Sequence, residues 1–152
     1  MRRKEKEITE KSEIENVIRK ASVCRIGMVN GDVPYVVPLC FGYRDNSIYI
    51  HSAAEGMKID ILMNNPNVCF EIDINSKVIE NDNGCNWGMH FQSVIGFGKA
   101  VFLENIEDKK TGLDIIMSHY SDKTFQFPEK SLKNTTVIKI EIESMSRKQS
   151  GI

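Results

Sequence analysis

Apolar and polar residues alternate with period two through most of this chain and switch to helical spacing in three short stretches. Ser12-Glu13-Ile14-Glu15 reads as a capping box, and Ile14, Val17, Ile18 and Ala21 form one helical stripe, which predicts a short amphipathic helix to about Ala21. Ahead of it, residues 1–11 set Arg2, Arg3, Lys4, Lys6 and Lys11 among Glu5, Glu7 and Glu10, a mixed-charge arm with little to bury. Ser22 to Val29 alternates as a first strand, and Asn30-Gly31-Asp32 turns it into a returning strand from Val33 to Tyr43. Pro34 and Pro38 cannot donate ladder hydrogen bonds, so the returning strand must be an edge, be bulged, or face something other than a neighbouring strand. Arg44-Asp45-Asn46 leads into a third strand, Ser47 to Ala53, with Ile48, Ile50 and Ser52 on one face and Tyr49, His51 and Ala53 on the other.

Glu55-Gly56 breaks that strand, and Met57 to Asn64 reads as a short helix with Ile59, Leu62 and Met63 buried, stopped by Asn65-Pro66. Asn67 to Ile74 alternates as a fourth strand. Asn75 to Gly88 is irregular and holds Trp87, the only tryptophan; such long segments are as a rule functional or disordered, and a tryptophan argues against disorder. Met89 to Glu104 is β-rich and punctuated by Gly96 and Gly98, which in a strand mark a bend, a bulge or close backbone approach. Ile106 to Tyr120 returns to helical spacing through Leu113, Ile116 and Met117, and Thr135 to Met145 alternates strictly. The sum is five or six antiparallel strands with two or three helices, a mainly β, partly open β-barrel with peripheral helices in one domain of residues 1–152.

Composition narrows the function. Twenty Lys and Arg against twenty-one Asp and Glu leave a net charge of -1, so no strong field draws the surface to nucleic acid or lipid. No run approaches the roughly 18 apolar residues of a membrane span, and Met1 to Glu10 is charged where a signal peptide is apolar, so the expected compartment is the cytoplasm. Cys24, Cys40, Cys69 and Cys85 form no C-x-x-C pair; in a reducing cytosol they are expected as free thiols, three of them inside apolar stretches.

The P-loop, dinucleotide-binding and hydrolase motifs are absent, and His51, His90 and His119 form no paired metal motif; a haem with one of them as axial ligand stays open. The informative segment is His51-Ser52-Ala53-Ala54-Glu55-Gly56-Met57-Lys58. A strand end carrying His and Ser, a glycine break and a helix with Lys at its second position would bring hydroxyl, backbone N–H groups, helix dipole and ammonium to one anion. The bland alternative is an ordinary strand-to-helix turn with a solvated lysine and a hydrogen-bonded structural histidine.

The order of segments resembles a known family. Cys24-Arg25-Ile26-Gly27-Met28-Val29, Pro34-Tyr35-Val36-Val37-Pro38-Leu39, Phe41-Gly42-Tyr43, Tyr49-Ile50-His51-Ser52-Ala53, Gly56-Met57-Lys58-Ile59-Asp60 and Asn65-Pro66-Asn67-Val68-Cys69-Phe70-Glu71 are similar to the pyridoxamine 5'-phosphate oxidase-like flavoproteins, within them the nitroimidazole-resistance (Nim-type) branch. The likeness continues through Ser93-Val94-Ile95-Gly96-Phe97-Gly98-Lys99-Ala100 to Lys148-Gln149-Ser150. It implies an antiparallel FMN-binding split β-barrel, a homodimer with two cofactor clefts at the subunit interface. Val37, Pro38, Leu39 and Cys40 would then lie along the isoalloxazine, and His51, Ser52 and Lys58 would hold the phosphate and ribityl end. Trp87, Gln92 and Ser93 would come from the other subunit or close the cleft. Two positions depart from the branch: relatives commonly carry Arg where this chain has Gln92, and Asn or Ser where it has Cys40, so a bidentate phosphate donor is missing unless Lys58 or Arg25 compensates.

The resemblance implies an FMN-dependent oxidoreductase that reduces small, flat, electron-poor molecules such as nitroaromatics or nitroimidazoles, with reduced nicotinamide as electron donor. His51 is the expected catalytic side chain, as proton donor or substrate-orienting group. The alternative from another class is a non-catalytic flavin- or haem-binding protein that stores, senses or scavenges its ligand.

Overall fold

The period-two segments pair into one antiparallel seven-stranded sheet in the computed structural model, which describes residues 4–151. In chain order the elements are α1 (Lys4–Lys20), β1 (Cys24–Asn30), β2 (Val33–Leu39), β3 (Gly42–Arg44), β4 (Ser47–Ala53), α2 (Met57–Asn64), β5 (Asn67–Ile79), β6 (Gly88–Leu103), α3 (Ile106–Tyr120), α4 (Glu129–Lys133) and β7 (Thr135–Ser150). Of the charged arm expected over 1–11, residues 1–3 lie outside the described residues, and from Lys4 the backbone is helical; runs of Lys and Glu have good helix propensity even without an apolar stripe.

The strands run in the order β2-β1-β5-β6-β7-β4-β3, so β2 and β3 are the two edges. Yet β2 ends at Leu39 and β3 begins at Gly42. Three peptide steps reach at most about 11 Å, so the sheet must curl until its edges almost meet, without hydrogen bonds joining them. This is the split barrel that the segment order implied. The single strand expected from Val33 to Tyr43 is thereby corrected: it divides at Cys40-Phe41 and serves both edges. β2 is an edge strand, as Pro34 and Pro38 require.

Two further boundaries differ from the sequence reading. The irregular stretch expected from Asn75 to Gly88 is mostly hairpin: Lys77, Val78 and Ile79 pair with His90, Met89 and Gly88 after a register shift. Asn75 takes positive φ there, which Asn tolerates, and the Ser76 hydroxyl donates to Asp73 Oδ2 at 2.6 Å, so the strand kinks and continues. β7 also runs five residues beyond Met145, to Ser150, because Phe91 to Gly96 of β6 supply its partners.

One continuous core fills the barrel. Ile14, Val17 and Ile18 of α1 pack with Ile26, Met28, Ile48, Ile50, Phe70, Ile72, Val94, Ile138 and Ile140 of the strands. Gly96 is needed at a close approach, since a Cβ there would strike the Phe70 ring, and β6 and β7 slip register between Phe97 and Gly98. In α2 the buried residues are Ile59, Ile61 and Leu62; Met63, expected inside, is 72% exposed, because the helix sits on the barrel at an angle that turns that stripe outward.

The other face of the sheet is less ordinary. Val36, Gly27, Cys69 and Phe97 form a row across β2, β1, β5 and β6, with Val36 61% and Phe97 57% exposed and Ile95 beside them. An apolar row in the middle of a sheet is unusual on a solvated face. No described helix is long and apolar enough to cross a membrane.

Candidate functional site

The division of the strand at Cys40-Phe41 creates a fork. β3 pairs with β4 as Arg44 with Ser47, Tyr43 with Ile48 and Gly42 with Tyr49, and pairing stops there. One further two-residue step along the same register would set Cys40 opposite His51, but the chain instead swings away into β2. Past Tyr49, β4 is therefore unpaired on this side while β7 still holds its other side, with His51 opposite Val137 and Ser52 opposite Thr136.

Two expected residues, His51 and Lys58, meet on the β4 arm of the fork, while Ser52 is next in the chain but on the opposite, core-facing side of β4. His51 and Ser52 end the strand, and Lys58 stands in the first turn of α2, close enough to His51 for its charge to be felt. Burial, and after it the Lys58 ammonium, hold the His51 imidazole below its ordinary value, so it favours the neutral form. Partial burial also lowers Lys58, which pairs with no carboxylate among the described residues. The α2 N-terminus adds to the positive field: Gly56, with φ 139°, occupies the cap position, no side chain caps the turn, and the first turn leaves N–H groups open. A desolvated cation and an uncapped helix start are what an anionic group such as a phosphate requires.

The other arm is β2. Val37 and Leu39 turn inward and pack against the core, so they offer a ligand their backbone, whereas Pro38 lies on the outer face beside Arg25. Cys40 is exposed, which corrects its expected placement as a packed hydrophobe; the thiol pushed well up by burial is Cys24. Arg25 is already engaged: its Nη1 donates to Glu71 Oε2 at 2.9 Å and Asp73 Oδ1 at 2.5 Å. It is not a free substitute for the arginine absent at Gln92.

Trp87, Gln92 and Ser93 are not brought to the His51-Lys58 arm within one protomer: His51 lies level with Leu103 of β6 through Val137, and Gln92 is eleven residues back along that strand, roughly 35 Å at ~3.3 Å per residue. The β2 arm is nearer, since Arg25 pairs with Pro38 and Glu71, and Glu71 with Ile95, three strand spacings or about 15 Å; Ser93 itself is buried. Trp87 lies farther still from the His51-Lys58 arm, in the hairpin tip, 53% exposed, its indole N–H donating to the Asn81 carbonyl at 2.6 Å. Concavities of about 640 Å³ at the hairpin root (Lys77, Val78, Ile79, His90) and about 470 Å³ between α1 and β7 (Ile14, Asn46, Met145) lie away from His51 and Lys58.

Sequence reasoning missed the residues that hold the fork at its base. The Tyr120 hydroxyl accepts from the Phe41 N–H at 3.0 Å and donates to the Ser22 carbonyl at 2.8 Å; His119 Nε2 meets the Ala21 carbonyl at 2.6 Å and its ring lies 4.3 Å from that of Phe41. These contacts span 79 and 98 residues of chain, and no local pattern announces them.

The profile of the pyridoxamine 5'-phosphate oxidase family matches residues 10–149. Among solved structures, a candidate 5-nitroimidazole antibiotic resistance protein from Bacteroides thetaiotaomicron is 35% identical, with a TM-score of 0.82, covering 91% of this chain and 82% of that one. A FAD- and haem-binding protein from Mycobacterium smegmatis shares the fold at a TM-score of 0.85 and 15% identity, over 95% of this chain and 73% of that one. An uncharacterised protein of Rhizobium meliloti (strain 1021) is 29% identical over 65 residues, 43% of this chain; the match spans under half, 42%, of that relative's length.

Proposed function

The chain belongs to the pyridoxamine 5'-phosphate oxidase family, and we propose that it is a flavin-dependent reductase that binds FMN and reduces small, flat, electron-poor molecules of the nitroaromatic or nitroimidazole kind. The observation that carries this reading is the half-buried Lys58, without a carboxylate partner among the described residues, at the open N-terminus of α2 beside His51. The residues present fit the phosphate end of FMN: Lys58 and the α2 N–H groups would hold it. Val37, Pro38, Leu39 and Cys40 border the same fork on an edge with no neighbouring strand, so backbone groups of β2 are open to hydrogen-bond a planar ring.

A bound flavin supplies hydride and electron transfer, and the protein supplies orientation and protons. For a nitro substrate and a reduced nicotinamide donor the balance is one nitro group, one reduced nicotinamide and one proton giving nitroso, oxidised nicotinamide and water. His51, kept neutral at the mouth of the fork, carries an N–H that can orient a nitro oxygen or deliver the proton.

The site is completed by a second copy of the chain. The row of Val36, Gly27, Cys69 and Phe97 is the surface on which two protomers would pack, and a partner's hairpin would bring its exposed Trp87, and with it Gln92, to the His51-Lys58 arm, which lies roughly 35 Å from Gln92 along β6 in the same protomer. The reaction occurs in the cytoplasm on this reading.

The test is the absorption spectrum of the freshly purified protein, followed by FMN titration and a nicotinamide-dependent nitro-reduction assay. Flavin bands with steady turnover support the reductase. Tight flavin binding without turnover makes the protein a flavin-binding module, a Soret band moves the search to haem, and a colourless protein that takes up no FMN overturns the reading.

A further inference from the structure

The base of the fork is held from outside the fork. Phe41 is fully buried, yet its backbone N–H finds no strand partner, because it sits where the chain leaves the edge β2 and has not yet joined β3. Leaving such a donor unmade is costly, and here the phenol of Tyr120, the last residue of α3, accepts it at 3.0 Å. The same hydroxyl donates to the Ser22 carbonyl at 2.8 Å, in the link between α1 and β1, and the exposed Cys40 is the chain neighbour of the Phe41 it holds. His119 reinforces the position by packing its ring, tilted 45°, against Phe41 and by bonding the Ala21 carbonyl. One hydroxyl thus ties together the two segments that set where the β2 arm begins. Burial raises the Tyr120 phenol above its ordinary value, against the pull of the Phe41 amide, so it keeps the proton it donates.

We propose that Tyr120 is a positioning residue for the cofactor site: by fixing the Cys40-Phe41 bend it sets the spacing between the β2 arm and the His51-Lys58 arm of the fork. This inference rests on the flavin reading, and it adds to that reading a residue outside the cleft. A phosphate-bearing planar ligand must meet Lys58 at one end and the β2 backbone at the other, so the arms must stand at one separation before it arrives. A site whose supporting residues are loose loses affinity without losing any contact residue.

The experiment compares the full-length wild type with Tyr120→Phe, which keeps the ring and deletes only the hydroxyl. Three quantities are read: FMN dissociation constant, rate of Cys40 alkylation by iodoacetamide followed by peptide mass spectrometry, and melting temperature. The expected result is FMN binding about tenfold weaker, several-fold faster alkylation of Cys40, and unchanged alkylation of Cys85, which lies in the hairpin tip. A merely structural loss would lower the melting temperature and expose the buried Cys24 as well. Equal Cys40 rates in the two proteins overturn the proposal even if the wild type binds no FMN, an outcome that would separately sink the flavin reading; altered Cys40 rates with unchanged FMN affinity overturn it too. Should Tyr120→Phe fail to fold, amide hydrogen exchange of Phe41 in the wild type decides: slow exchange supports the bond to Tyr120, and exchange at the free-peptide rate overturns it.

Discussion

The two ends of the long strands are built on different principles. At the fork end, α3 packs on β3 and β4 through contacts between residues far apart in the chain, and partial burial acts on the polar groups there: it lowers Lys58 and His51, and the Tyr120 phenol serves two distant backbone groups. At the hairpin tip, bonds are local, while at its root His90 Nδ1 meets the Gly151 carbonyl at 3.1 Å. Asn81 Oδ1 accepts from the Asn83 N–H, Asn83 Oδ1 from the Cys85 N–H, and the Asn81 carbonyl from the Trp87 indole, all within six residues. The fork is held by the fold around it, whereas the hairpin projects with Val78, Ile79, Trp87 and Met89 exposed. On the proposed reading, the difference assigns ligand affinity to the fork and offers the hairpin to a second protomer.

The sharpest break in this contrast is a pair of glycine substitutions. A Cβ at Gly42 would collide with the Ile115 carbonyl in the backbone of α3, so Gly42→Ala is expected to cost about 3 kcal/mol in urea unfolding. Gly84→Ala, in the hairpin tip, meets nothing within 4 Å and should stay within about 0.5 kcal/mol of wild type. Equal losses at both positions would refute the assignment of rigidity to the fork.

Next in size is charge. Lys58→Glu should weaken FMN binding about a hundredfold in a fluorescence titration, while Lys77→Glu on the hairpin leaves it within about threefold. The neutral change Lys58→Gln should at the same time raise the melting temperature of the ligand-free protein by about 1–3 °C, because it removes a desolvated charge; a lower melting temperature would mean that Lys58 has a structural partner.

Phe97→Glu tests the sheet face that both ends share. In analytical ultracentrifugation the variant is expected to sediment as a monomer where the wild type is a dimer, and its FMN affinity should fall about tenfold if a partner hairpin completes the cleft. A monomeric wild type, or unchanged affinity in a monomeric variant, would return the hairpin to a purely local role.

The smallest effect is in pH. The folded His51 lies below 6.5, so the unfolded chain takes up the proton first as pH falls, and His51 withdraws stability below about pH 6.5 until the folded imidazole also protonates. At the hairpin root, Asp73 is lowered by its Ser76 hydrogen bond and by Arg25, so its contribution is full above its ordinary 3.8 and is lost as pH falls through that value toward the lower folded one. Acid should therefore loosen the fork first. Between pH 8 and 6 the melting temperature of His51→Gln should fall less than that of wild type, by about 1 °C; parallel curves would show that His51 carries no such cost.

Much of this was legible in the sequence. Alternation placed β1, β4 and the body of β5, β6 and β7, Pro34 and Pro38 marked the edge strand, and Gly96 and Gly98 marked the close approach and the register slip. The segment from His51 to Lys58 pointed to an anion site before any coordinates. What stayed hidden was the division of one apparent strand at Cys40-Phe41: both halves have strand-like residues, and nothing local says that they pair with opposite edges. The length of the hairpin was also hidden, because a kink at Asn75 and Ser76 reads as an end when only alternation is followed.

Local chemistry by itself determined which segments extend, where turns fall and which side chains seek the core, since these depend on neighbours within a few residues. Only the tertiary structure decided that His51 and Lys58 become partly desolvated together, that Arg25 is consumed by Glu71 and Asp73, and that Tyr120 reaches Phe41 across 79 residues. The physical reason is that burial, ion pairing and the closing of a curled sheet are set by what the chain brings together from afar. Their energies therefore come into being only when the fold does.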